Sequence, residues 1–201
     1  MIDNSEKILN FLEFNKDHYY EIIVMKRKKD NPEEANAQSS RIIKQYLIDS
    51  KEYFEKKYEE IKSIADVTNA RVYIKLTPYS KKKIALKSIR LLVDKLENED
   101  YSFNNLMVKA IGNCTPENKL WVIDIDYDRA TEKEILYIQT AINDCDPNGN
   151  HIVLKVPTPN GVHLITKPFN TQHFLTKQDV YYKCEIHKNN PTILYSNTKQ
   201  L

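Results

Sequence analysis

Two carboxylates, Asp124 and Asp126, close the apolar run Leu-Trp-Val-Ile-Asp-Ile-Asp that begins at Leu120. Side chains alternate along a β-strand, so residues two apart leave the same face, within reach of one another. Trp121, Val122 and Ile123 read as core, and like charges gathered beside a core raise each other's pKa unless a cation neutralises them. Mg²⁺ or Mn²⁺ fits that role, because both prefer carboxylate oxygen and leave positions open for substrate phosphates. Zinc would require more clustered His and Cys than this chain offers. The plain alternative is a strand whose acidic end lies in solvent.

A second group is Pro159-Asn160-Gly161-Val162-His163. The glycine turn lets a ligand approach the amides of Asn160 and Gly161, and an imidazole or ammonium binds phosphate. Strand alternation carries His163 and Lys167 on one face; a hydrogen-bonded structural histidine is the alternative. Glu185 and His187 share a strand face before the polar turn at Lys188-Asn189-Asn190-Pro191, and Glu185 is placed to complete a carboxylate triad, with Asp179 as the fallback. Cys184 and His187 have C-x-x-H spacing, but a second half of a zinc site is missing.

These residues need elements to hold them. Residues 4–15 suit a short amphipathic helix, and Tyr19–Met25 a strand that exits through Lys26, Arg27, Lys28 and Lys29 before Asp30-Asn31-Pro32 breaks it. From Glu33 to Asp66 the apolar spacing predicts one long helix, or two joined near Asp49. Arg71–Leu76 alternates as a strand ended by Pro78, and Ser80 caps a helix from Lys81 to Leu96. Seven basic residues and no acidic one occupy the span from Arg71 to Arg90. Thr131 and Glu134 form a capping box for a helix to Ile142. His151–Val156 and Val162–Lys167 read as a hairpin, followed by strands Val180–His187 and Thr192–Ser196. Helices early and hairpins late argue for an α+β fold with a mixed or antiparallel sheet.

The chain has 201 residues, 41% hydrophobic and 29% charged, which fits one folded domain rather than disorder. Its three glycines, Gly112, Gly149 and Gly161, exclude a Walker A loop and a dinucleotide fingerprint. Three cysteines without a C-x-x-C pair argue against a disulfide framework, and no apolar run spans a membrane or follows a basic start. A cytoplasmic protein with no membrane partner is expected. With 30 basic and 28 acidic side chains the net charge is only +2, so charge distribution has to carry any nucleic-acid argument.

Ile123-Asp124-Ile125-Asp126, Gly161-Val162-His163 and Cys184-Glu185-Ile186, in that order on expected strands, resemble the archaeo-eukaryotic primase superfamily. The resemblance covers residues 71–195, and the basic segment ending at Pro32 is similar to the upstream half of small phage or mobile-element members. It implies a single catalytic core over residues 1–201, with an N-terminal α/β half (1–70) and an RRM-like motif-bearing half (71–201). It further implies DNA or RNA primer synthesis or extension on a single-stranded DNA template by two-metal transfer from nucleoside triphosphates. Asp124, Asp126 and Glu185 would hold Mg²⁺ or Mn²⁺, and His163 a phosphate. Beside it, Lys167, Asn160 and Gly161 are expected to grip the triphosphate, Arg71 and Lys75 to contact nucleotide or template, and Arg27, Lys28 and Lys29 to follow the nucleic-acid backbone. No zinc module or helicase is evident, so a helicase or other replication protein is an expected partner. A catalytically silent nucleotide- or nucleic-acid-binding accessory and a metal-dependent nuclease are the alternatives.

Overall fold

A computed structural model describes residues 1–32, 40–177, 180 and 182–197. In chain order, β1 (Ile2–Asp3) and α1 (Ser5–Phe11) lead into β2 (His18–Arg27), a 3-10 turn (Lys28–Asp30), β3 (Ser40–Ile48), α2 (Lys51–Thr68), β4 (Arg71–Ser80), α3 (Lys81–Glu97) and α4 (Leu106–Gly112). There follow β5 (Trp121–Asp126), α5 (Glu132–Asn143), β6 (Ile152–Pro157), β7 (Gly161–Thr166), α6 (Thr171–Leu175), β8 (Glu185–His187) and β9 (Thr192–Ser196). The fold is α+β, with one sheet ordered β1-β9-β4-β2-β3 and a second ordered β6-β7-β5-β8. All neighbouring strands are antiparallel. Because β4 and β9 belong to the first sheet, the boundary expected at residue 70 does not coincide with the division between sheets.

Three expected elements differ. Residues 40–48 form β3, not helix, and 33–39 lie outside the described residues. Val24 faces Lys44 whereas Met25 faces Ile42, so Ile43 is an extra residue in a bulge. The bulge breaks the two-residue alternation, which leaves an apolar spacing that mimics a helix. The helical part begins after Asp49, where the Ser50 hydroxyl accepts the Tyr53 N–H and buried Phe54, Tyr58, Ile61 and Ala65 follow at helical spacing. Next, β4 continues through Pro78. Tyr19 faces Tyr79 but Glu21 faces Lys75, so Pro78 sits in an irregular stretch of the ladder where a missing N–H is tolerated. Lastly, β8 spans only Glu185–His187, because the Lys183 N–H bonds the Val180 carbonyl in a turn.

The face of β5 is fixed by its apolar partners. Ile123 and Ile125 are fully buried against Ile135, Ile138 and Ile142 of α5 and Phe174 of α6. Val122, on the opposite face, joins Ile165 and Val156 in a core shared with the first sheet and α2. Burying each large aliphatic side chain is worth about 1.5–3 kcal/mol. A one-residue slip would exchange the isoleucines for the aspartates, so the register that directs Asp124 and Asp126 toward the first sheet is strongly enforced. Buried Asn4 ties the sheets together, its side-chain amide donating to the carbonyls of Pro157 at 2.9 Å and Ile193 at 3.1 Å. Among the described residues no helix is long and apolar enough to cross a membrane.

Candidate functional site

Where β5 emerges from the core between the sheets, a small cleft opens. It is lined by Asp124 and Asp126 of β5, His163 of β7, the β6–β7 turn, and Arg27, Arg71 and Tyr73 of the first sheet. Strand register builds one wall: Asp124 stands opposite His163, and Asp126 opposite Gly161. The turn is pinned locally, since the Thr158 N–H bonds the Gly161 carbonyl and the Tyr127 N–H bonds the Asn160 carbonyl. Asn160 is thereby held at the end of β5, beside Asp126.

Gly161 has a reason in packing as well as in ligand access. A Cβ there would lie 1.9 Å from the Ile125 carbonyl oxygen and 2.8 Å from the Asp126 Cα. Only a residue without a side chain lets the two backbones approach this closely.

One ring nitrogen of His163 is hydrogen-bonded and the other faces a carboxylate. Nδ1 shares a 2.8 Å hydrogen bond with the hydroxyl of Thr192 on β9, and Nε2 lies 3.4 Å from Asp124 Oδ1. Thr192 is almost fully buried. The imidazole therefore spans from the first sheet to the carboxylate of the second, and its orientation is set by a residue on a different sheet.

The opposing wall is cationic. Arg71 Nη2 donates to Asp30 Oδ1 at 2.6 Å, and both side chains are about nine-tenths buried. Arg71 Nε and Asp30 Oδ2 are buried without a hydrogen-bond partner. Arg27 Nη1 lies 3.5 Å from the Tyr73 hydroxyl, and burial raises the Tyr73 pKa against the opposing pull of Arg27 and Arg71. The cleft thus sets two carboxylates against two guanidinium groups. Such a pairing of charges suits a ligand that carries phosphates together with divalent cations.

The remaining expected site residues are distributed as follows. Glu185 stands opposite Asp124 on β8, but its carboxylate accepts from Arg129 at 2.9 Å and lies 3.6 Å from His187, outside the cleft lining. That hydrogen bond raises the Arg129 pKa. Lys75 is engaged elsewhere, 2.9 Å from Glu21 and 3.0 Å from the Tyr79 hydroxyl. Burial depresses the Lys75 pKa, but Tyr79 and Glu21 outweigh it and the net direction is up. Lys167 follows the far end of β7, where its N–H bonds the His151 carbonyl. It stands four positions along the chain from His163, about 13 Å, and outside the cleft lining. Lys28 is exposed on the 3-10 turn, while the Lys29 side chain and Asp179 lie outside the described residues.

Four contributors were not legible in sequence. Tyr73 reads as an ordinary strand residue, Thr192 as the start of a short strand, Asp30 as a breaker and Arg129 as part of a loop. The one available signal was parity, since Tyr73 shares a β4 face with Arg71. Compared with known protein families, curated proteins and solved structures, the chain matches none.

Proposed function

We propose that the chain is a metal-dependent nucleotidyltransferase of primase or primase-polymerase type, which synthesises or extends DNA or RNA primers on single-stranded template. The observation that carries this reading is the meeting of Asp124, Asp126 and His163 with Arg27 and Arg71 in one cleft between two sheets. The order β-α-β-β-α-β from β5 to β8 supports an RRM-like catalytic half, which shares a core with the first sheet.

The donor set suits Mg²⁺ or Mn²⁺. Such ions are commonly held by one or two carboxylates plus substrate phosphates, and Asp124 and Asp126 supply the pair on one strand face. Bound divalent ions would activate the attacking 3′ oxygen and stabilise the pyrophosphate leaving group. Arg71, held in the cleft lining by Asp30, would present its guanidinium to a phosphate. His163, braced by Thr192, adds a contact whose orientation is fixed before the ligand arrives. Arg27 extends the cationic wall toward the basic exit of β2, where a template backbone would run.

Incubation of the purified protein with Mn²⁺, labelled triphosphates and single-stranded DNA should yield extended or primer products, lost in Asp124→Ala and Asp126→Ala. Absence of metal-dependent product on every template, or product that survives both substitutions, overturns the reading. The Arg129–Glu185 pair favours a second reading, a nucleotide- or nucleic-acid-binding replication accessory whose third carboxylate is withheld. Strand binding that survives chelation, without synthesis even in Arg129→Gln, would support that alternative.

A further inference from the structure

The helix α3 is apolar on two opposite faces. Ile84 and Leu91 turn inward against Tyr79, Ala110 and Ile111. Leu86, Ile89, Val93 and Leu96 are exposed by 48%, 58%, 46% and 46%. Their spacing of three, four and three residues is that of a coiled-coil seam, and the inward residues fall on the reverse side of the same helix. A helix with apolar stripes on both sides is built to be covered on both.

Charge indicates what covers the outer stripe. The first turn of α3 has no acidic residue and begins with Lys81, Lys82 and Lys83, the sign that opposes the dipole at a helix N-terminus. Lys81 and Lys83 already hold Asp49 and Glu117 at 2.9 Å. Lys87 and Arg90 extend the basic half, whereas toward the other end Asp94 and Glu97, with Glu99 and Asp100 just past the helix, outnumber Lys95, which pairs with Asp100. A helix with one basic and one acidic half is complementary to its own reverse.

We propose that α3 packs antiparallel against α3 of a second copy of this chain, forming a two-fold dimer. Antiparallel pairing centred near residue 91 sets Leu86 against Leu96 of the second copy and Ile89 against Val93, so that all four seam residues are covered. The same register sets the lysine-rich N-terminus beside the partner's C-terminal end, where basic residues are favourable. Arg90 meets its own counterpart across the axis, on the solvent side of the seam. The seam is one helix per copy, about 25 Å long, so the contact is modest and belongs with weak, transient interfaces. None of these residues lines the cleft, and the proposal stands apart from the reading of that site.

Sedimentation equilibrium of the full chain across micromolar concentrations should show a monomer–dimer equilibrium. Ile89→Asp should weaken it by about tenfold or more with an unchanged circular dichroism spectrum, and with an unchanged thermal melt at concentrations where the parent is monomeric. The register is tested by disulfide trapping in a Cys114→Ser background. Mixed Ile89→Cys and Val93→Cys chains should cross-link with each other faster than either does with itself. A monomer at all concentrations, a dimer indifferent to Ile89→Asp, or like-with-like cross-linking as the faster reaction would overturn the proposal. So would exposed seam residues that instead protect only when single-stranded DNA or an added helical protein is present.

Discussion

Replacing Gly161 by alanine tests whether the closeness of β5 and β7 holds the cleft together. The added Cβ would meet the Ile125 carbonyl oxygen at 1.9 Å, where real contacts stop near 3.0 Å, so about 1.1 Å of separation has to be found. The obstructing atoms are backbone, and β5 is fixed on one face by Ile123 and Ile125 and on the other by Val122. Rotamer changes cannot relieve such an overlap. Overpacking costs about 1–3 kcal/mol, and immovable neighbours place this case near the top, at about 3 kcal/mol. For a chain of this size each kcal/mol lowers the melting temperature by about 2–4 °C, giving a fall of about 6–12 °C. Gly112→Ala is the matched control: it ends α4 with nothing within 4 Å of the added carbon, and alanine there should be neutral or stabilising by up to about 1 kcal/mol. Thermal melts of both variants by circular dichroism decide the matter. A Gly161→Ala melt within about 2 °C of the parent, or an equal fall in Gly112→Ala, refutes the argument.

Thr192→Val removes the hydroxyl that meets His163 Nδ1 and should cost about 1 kcal/mol through loss of a part-buried hydrogen bond. Thr192→Ser should restore the melting temperature, and a Val variant as stable as the parent would remove the brace from the mechanism. Glu134 is held well below the usual carboxylate range, at about 2, first by Lys183 and then by the backbone and hydroxyl of Thr131. Because the folded pKa is the lower one, its stabilisation is complete above about 4.5 and is lost as pH falls toward 2. The gap in melting temperature between the parent and Glu134→Gln should therefore close over that interval, and a gap independent of pH contradicts the assignment. Arg27→Ala should reduce the salt dependence of single-stranded DNA binding by about 0.7 in the logarithmic slope if it meets one phosphate. Fluorescence anisotropy at several salt concentrations measures this, and an unchanged slope removes Arg27 from the nucleic-acid path.

Local periodicity was enough to place the acidic pair. Alternation in β5 put Asp124 and Asp126 on one face and Ile123 and Ile125 on the other, and the capping box at Thr131 and Glu134 is formed as read. The hairpin of β6 and β7 followed from its turn residues, and the α+β class from the order of elements. Alternation failed at β3, where a single bulged residue, Ile43, shifted the pattern by one.

Partnerships between segments far apart in the chain were decided only by the assembled sheets. Thr192 reaches His163 because β9 returns to the first sheet, and Arg71 meets Asp30 because β2 and β4 are neighbours. Among charged groups the outcome is a competition: Glu185 has Asp124 opposite it in register, yet it takes the cation Arg129, and Lys75 takes Glu21 rather than the cleft. Sequence encodes the direction in which a side chain leaves its own strand, because that depends on neighbours a few residues away. Which opposite charge it then meets depends on strand order and register, which exist only once the core has closed.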